Sequence, residues 1–223
     1  MCSVLICSAR LWAPLLGLVW ALLAPAAFAQ APSNPSLNAQ LLVGARQADV
    51  AQVERVLAQG AAPNSRNRLG KTALLLAAEK GHLGLANRIL DAGADVNLAS
   101  LEGVTPLMAA CYGGHETVAR KLLAAGARTD ALDRMRKPAL VYAAGQGQVG
   151  ALDALIDAGL DVNSLHENKL TALMWAAGQG HADAVRRLLQ RGARADLRDD
   201  RGQTALDIAR NAGHRDVSAL LGP

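Results

Sequence analysis

The sequence predicts an all-α solenoid, in which helix–turn–helix units stack side by side and are joined by hairpin loops. Three observations lead there. From Arg68 onward the chain repeats itself every 33 residues without a gap, and a period of that length marks a stacked-repeat architecture. Glycine recurs at two fixed places in each block, as expected where short helices end in a left-handed residue. The chain is 51% hydrophobic but only 3% aromatic, so its core must be built from Ala, Leu, Val and Ile, which suits closely packed helices.

Residues 1–29 differ in kind from the rest. Arg10 is followed by "LWAPLLGLVWALLAPAAFAQA", which carries no charge and contains the small-x-small site Ala27-Phe28-Ala29. The pattern is that of a secretory signal peptide cleaved between Ala29 and Gln30. An uncleaved inner-membrane anchor is the alternative, because the apolar run approaches spanning length. Residues 30–36, "QAPSNPS", read as a flexible linker. Cleavage would remove Cys2 and Cys7 and leave Cys111, so no internal disulfide is expected in the exported chain.

The repeat domain is read as residues 37–223. Four full blocks occupy 68–100, 101–133, 134–166 and 167–199, and 200–223 reads as a truncated C-terminal cap. The stretch 37–67 matches the second half of a block and reads as an N-terminal capping half repeat. Within each block, Thr72, Thr105, Thr171 and Thr204 stand where a first helix starts, and a threonine oxygen there can accept from orphan amides. Alanine pairs such as Ala77-Ala78 and Ala143-Ala144 follow, allowing neighbouring helices to approach. A glycine (Gly147 in the third block) ends the first helix. Leu90, Leu123, Ile156 and Leu189 are expected as the apolar stripe of the second helix.

Block two carries Gly103-x-Thr105-Pro106-Leu107, Ala109-Ala110, Gly114-His115, Leu122-Leu123 and Gly126-Ala127, and block one ends in Gly93-Ala94-Asp95-Val96-Asn97. This pattern resembles the ankyrin repeat family, over essentially everything from Leu37 to Leu221. The resemblance implies a binding function carried by hairpin tips and by the concave face of the first helices.

The repeat frame disposes of several isolated motifs. "GQGQVG", Gly145 to Gly150, matches the G-x-G-x-x-G dinucleotide fingerprint, but that motif needs a strand before it. Here it is the third copy of an inter-helix turn whose sisters are "EKGHLG" and "GQGHAD". His82, His115, His181 and His214 share one repeat position. Packed helices set such atoms about 10 Å apart, whereas zinc ligands lie at about 2 Å from one ion, so the column reads as structural. His166, at a hairpin tip, reads as solvated. Cys111 takes an alanine position and reads as a buried thiol. Tyr142 and Trp175 share a column with Leu76, Ala109 and Ile208 and read as inter-repeat core, while Tyr112 falls in a polar column and reads as a contact residue.

The pattern breaks in two hairpins. Where Gly70, Gly103 and Gly202 precede the helix start, blocks three and four have Arg136 and Lys169, and block three has Pro138 in the threonine position. These departures question a regular hairpin there and also mark a candidate site. The implied contact positions hold Arg68, Lys71, Lys80, Arg134, Arg136, Lys137, Lys169 and Arg201 against Glu79, Glu102, Glu167 and Asp200, an excess as large as the +4 of the whole chain. The expected partner-binding residues are Leu101, Val104, Tyr112, Arg134, Met135, Arg136, Lys137, Lys169 and Leu170.

The sequence thus points to a monomeric, non-enzymatic protein-interaction module, periplasmic or secreted, for a protein with an acidic, partly apolar surface. It implies no cofactor, no metal, no nucleic-acid partner, and no stable membrane insertion once the leader is cleaved. Alanine richness and the short leader fit a bacterial protein. Two rival readings are a membrane-tethered scaffold and an enzyme using Cys111, which would need an accessible, reactive thiol.

Overall fold

The computed structural model describes residues 34–222. The expected signal peptide, its expected cleavage point between Ala29 and Gln30, and most of the expected linker lie outside the described residues. Twelve α-helices occupy this region: α1 (Pro35–Gln47), α2 (Val50–Ala58), α3 (Ala73–Glu79), α4 (Leu83–Asp91), α5 (Pro106–Gly113), α6 (Glu116–Ala124), α7 (Ala139–Gly145), α8 (Val149–Asp157), α9 (Ala172–Gly178), α10 (Ala182–Gln190), α11 (Ala205–Asn211) and α12 (Arg215–Leu221). Odd-numbered helices pack on their odd-numbered neighbours and even on even, while each odd helix packs on the helix that follows it. The result is a two-layer helical stack with hairpins between the units. None of the described helices is long and apolar enough to cross a membrane.

Seven residues make two helical turns, too few to stand alone in water, so α3, α7, α9 and α11 exist only by capping and packing. Thr72, Thr105, Thr171 and Thr204 each accept from the backbone N–H three residues on, at 3.2–3.3 Å. Pro138 starts α7 with no side-chain cap. Behind the caps the first helices are buried on nearly every side, with Ala77, Ala78, Ala110, Ala143, Ala144, Ala176 and Ala177 at 0% exposure. In the second helices the buried stripe is Ile89, Leu122, Leu155 and Leu188, one residue before the predicted column. Leu90, Leu123, Ile156 and Leu189 pack only partly buried against that core.

The N-terminal end of the repeat domain corrects the sequence reading twice. Pro35 and Ser36 belong to α1, not to a linker, because Asn34 caps the helix by accepting from the Ser36 N–H at 3.0 Å. The N-terminal unit is not a half repeat: α1 and α2 form a complete helix pair. The first of these was missed because α1 lacks the threonine start signal of its successors.

The histidine column ties repeat to repeat. The Nε2 atoms of His115, His181 and His214 lie 3.2, 3.0 and 3.1 Å from the carbonyls of Glu79, Gly145 and Gly178, each in the preceding unit. A carbonyl can only accept, so each Nε2 carries the proton. Each ring also lies against the turn glycine of that preceding unit. Gly147 has φ +69°, and a Cβ added to it would come within 2.8 Å of the His181 ring. Gly147 is therefore required twice, by its backbone and by its neighbour. Gly159 has φ +93° with nothing within 4 Å of an added Cβ. Both substitutions to alanine incur left-handed strain of roughly 1–2 kcal/mol. Gly147→Ala should cost about 1 kcal/mol more than Gly159→Ala, the worth of the displaced histidine hydrogen bond; urea unfolding of the two variants checks the difference.

Candidate functional site in the groove between hairpins and first helices

Three aromatic residues occur among the described residues, Tyr112, Tyr142 and Trp175, and all three line one groove. Tyr112, at the end of α5, is 54% exposed and meets Tyr142 of α7 edge-on, with ring centroids 6.0 Å apart and planes at 77°. The Tyr142 hydroxyl donates to Asp133 Oδ2 at 2.5 Å. The other Asp133 oxygen accepts from the Lys137 N–H at 2.7 Å and so shapes the third hairpin. Burial, and then the Asp133 carboxylate, push the Tyr142 phenol well above its ordinary pKa. One residue beyond the hairpin turn, Lys137 places its Nζ 4.8 Å from the centroid of the Trp175 ring on α9, within cation–π range.

These side chains divide the groove into three cavities. The first, about 380 Å³, is bounded by Glu79, Val104, Met108, Tyr112 and Tyr142. Across the two tyrosines lies a second of about 180 Å³, closed on its far side by Lys137 and Trp175. Beyond those, a third of about 250 Å³ opens between the third and fourth hairpins. A larger cavity of about 640 Å³ lies elsewhere, between α1 and the loop at Ser65–Arg68. It contains no aromatic side chain, and size alone does not make a site. The aromatic groove combines rigid rings with cations and is the stronger candidate.

The two unusual hairpins keep the recurring hydrogen bonds, but the fourth turns differently, through a 3-10 turn at Glu167–Lys169 with Asn168 and Lys169 both left-handed. In the third, Asp133 N–H donates to Lys137 O and Arg136 N–H to Asp133 O, as Ser100 N–H does to Val104 O and Gly103 N–H to Ser100 O in the second. The fourth repeats the pattern between His166 and Leu170. Arg136 and Lys169 both hold φ +57° where Gly103 has +78°, and Asn168 holds +58°. Left-handed non-glycine residues are costly, and clusters of them are characteristic of functional sites.

The predicted residues do not fall together as one patch. Met135, Arg136, Lys137 and Leu170 line the third cavity, and Val104 and Tyr112 the first. Leu101 is exposed on the second hairpin and lines none of the three. Arg134 and Lys169 are engaged in ion pairs, with Glu102 and Asp200, at 3.2 Å each. Arg136 and Lys137 form no ion pair among the described residues. Tyr142 and Trp175 are corrections to the core assignment: both are half-buried groove residues. Their rings are larger than Leu76 or Ala109 in the same column and extend past the core. His166 is also corrected. It is half-buried, burial lowers its pKa, and its Nε2 is buried without a hydrogen-bond partner.

The even-numbered helices present a contrasting face. Asp157 is bonded to Arg191 and to Arg120, which also bonds Glu116 at 2.9 Å, and Arg187 pairs with Asp153 at 2.9 Å. The two arginines hold the exposed Asp157 carboxyl below the usual range. Each exposed pair contributes little stability, but together they neutralise that side. Cys111 is fully buried, and burial pushes its thiol up to about 12. At neutral pH it is a neutral thiol behind the helix surface, unsuited to act as a nucleophile. Among the described residues no His, Cys, Asp or Glu cluster could hold a metal ion.

A family model for ankyrin repeats (3 copies) matches residues 41–133 and again 140–222. The chain is similar to the crystal structure of EF0377, an ankyrin repeat protein, with 26% identity and a TM-score of 0.74, covering 82% of this chain and 96% of that one. No curated protein matches it.

Two outcomes follow from the site's geometry. Arg136→Gly should release roughly 1–2 kcal/mol of left-handed strain and lose about 0.5–1 kcal/mol to glycine's freedom in the unfolded chain. The net is a small stabilisation, read as a raised urea midpoint; an unchanged or lowered midpoint would show that Arg136 is not strained. Tyr142→Phe should destabilise at neutral pH by removing the donor to buried Asp133. The raised folded pKa of Tyr142 means its contribution is complete below the unfolded value of 10.0 and declines as pH rises above it, where only the unfolded phenol ionises. The stability gap between wild type and Tyr142→Phe should therefore narrow above pH 10, as followed by unfolding titrations at stepped pH.

Proposed function

The chain belongs to the ankyrin repeat family, and from that premise we propose that it is a protein-binding module exported to the periplasm. Ankyrin repeats generally mediate protein–protein interaction, and members of the family are typically non-enzymatic. The proposed contact surface is the groove between hairpins and first helices α5, α7 and α9, with the third hairpin at its centre. The partner is a protein whose surface is acidic and partly apolar, bound by a monomer of this chain.

The observation that carries this reading is the convergence of Tyr112, Tyr142 and Trp175 on one groove, beside Arg136 and Lys137, which form no ion pair among the described residues. Rigid aromatics anchor interfaces, whereas cations at the rim chiefly speed encounter. Export is supported by the leader pattern of residues 1–29. N-terminal sequencing of the exported protein tests it: a first residue of Gln30 is expected, and an intact Met1 favours a membrane-tethered scaffold.

Affinity capture from the periplasm, followed by binding kinetics with the captured protein, tests the surface. Arg136→Glu combined with Lys137→Glu should slow association and flatten its salt dependence. Tyr112→Ala should chiefly speed dissociation, by a loss on the order of 2 kcal/mol. Melting curves should stay near wild type for both, because these residues lie outside the stacking core. Unchanged kinetics in both variants would move the interface to another face.

A further inference from the structure

The hairpins are bonded to one another by a recurring pair of contacts, and one junction has neither. At three junctions a tip N–H donates to a carbonyl of the preceding tip: Leu101 to Leu69, Arg134 to Glu102 and Asp200 to Asn168, each at 3.0 Å. Beside each tip bond an asparagine accepts from the next loop. Asn64, Asn97 and Asn163 take the N–H groups of Asp95, Arg128 and Arg194, each at 2.8 Å. Between the third and fourth hairpins the equivalent donors are Glu167 N–H and Asp161 N–H, and the equivalent acceptors are the Met135 carbonyl and the Asp130 side chain. Neither bond forms among the described residues. Part of the cause is in the sequence: position 130 is aspartate, and its carboxylate is taken by Arg128 at 3.0 and 3.1 Å.

The gap is confined to the hairpins. Behind it α7 and α9 remain tied by His181 and the Gly145 carbonyl at 3.0 Å. What opens is the third cavity, with Met135, Leu170 and Trp175 on its apolar wall and Arg136, Lys137 and Glu167 on its polar edge. Met135 and Glu167 both line this cavity, and neither the Met135 carbonyl nor the Glu167 N–H has a backbone partner among the described residues.

We propose that the open junction between the third and fourth hairpins binds an extended segment of a partner polypeptide, acidic and apolar in alternation, that inserts one peptide unit where the tip-to-tip bond is absent. The inference rests on the reading that the partner is a protein. The segment's carbonyl accepts from Glu167 N–H and its N–H donates to the Met135 carbonyl, the exchange by which extended peptides join exposed backbone edges. An apolar side chain enters between Met135, Leu170 and Trp175. Flanking carboxylates meet Arg136 and Lys137, which form no ion pair among the described residues although Glu167 lines the same cavity.

One substitution isolates the backbone donor. Glu167 opens a short 3-10 turn, Glu167–Lys169, behind an extended His166 (φ −108°, ψ −165°), which a following proline tolerates. Its N–H serves no bond among the described residues, so Glu167→Pro deletes the donor and leaves the hairpin intact. Glu167→Ala removes the same charge and keeps the donor. The probe is the acetylated, amidated pentapeptide Glu-Leu-Asp-Leu-Glu, titrated into isotope-labelled protein and followed by NMR at the Met135 methyl and Trp175 indole signals. Wild type and Glu167→Ala should bind it, Glu167→Pro roughly tenfold more weakly, and the Lys-Leu-Lys-Leu-Lys counterpart should not compete. Equal binding by the proline and alanine variants overturns the proposal, as does an absence of shifts at Met135 and Trp175. Concentration-dependent dimerisation abolished by Glu167→Pro also overturns it, giving the junction to a second copy of the chain. Any of these results leaves the broader protein-binding reading to the Tyr112 and Arg136/Lys137 variants, whose kinetics decide it separately.

Discussion

The structure depends on the packing of one short buried helix against the next. A two-turn helix gains too few hydrogen bonds to offset its own nucleation, so α3, α7 and α9 persist only because each lies between neighbours. Alanine at the contact positions lets the backbones come close, and a histidine ring bonded to the preceding helix end fixes the spacing. Stability in such an array is a sum over units and the interfaces between them. A defect in one interface therefore weakens the stack locally and leaves the remaining units in register.

That architecture explains how the unit of α7 and α8 tolerates its irregularities. Its first helix lacks a threonine cap, its hairpin holds Arg136 in the left-handed region, and its turn has Gln148 in the histidine position. Each weakens the unit, yet the hairpin bonds of Asp133 are retained. The neighbours over-determine the local conformation, and the cost is spread over a structure that can absorb it. A glycine at position 136 would fold with less strain, so an exposed arginine there is better explained by what it contacts than by how it folds.

Much of the fold was legible because its determinants are local and recur. The threonine caps and turn glycines announce the helix ends at one period, and no long-range pairing had to be guessed. The core column of the second helices was misplaced by one residue because Ile89 and Leu90 are equally apolar; only the neighbouring repeat decides which faces inward. The extra helix turn at Pro35 was hidden by its loop-like composition. The site was legible in outline through the glycine replacements at 136 and 169. The groove role of Tyr142 and Trp175 was not, since a column shared with Leu76 and Ala109 reads as core until ring size is set against the depth of the packing. That these rings and Tyr112 are the only aromatics after residue 28 was the signal available. The open hairpin junction was legible only in part: Asp130 stands where Asn64, Asn97 and Asn163 accept, whereas the absent tip-to-tip bond joins backbone atoms common to every residue.

The electrostatics of the two faces follow from the same register. Along the even-numbered helices opposite charges meet across units, where Asp157 bridges Arg120 and Arg191 and Asp153 pairs with Arg187. On the hairpins the same stacking pairs Arg134 with Glu102 and Lys169 with Asp200. Between those two pairs lie Arg136 and Lys137, at the one junction whose backbone contacts also lapse. Charge, hydrogen bonding and apolar surface are thus left unmatched at the same place, while His181 holds the helices beneath it. The cleft is open in a rigid frame rather than in a loosened one. A ligand entering it need not order the site, which removes one of the main costs of association.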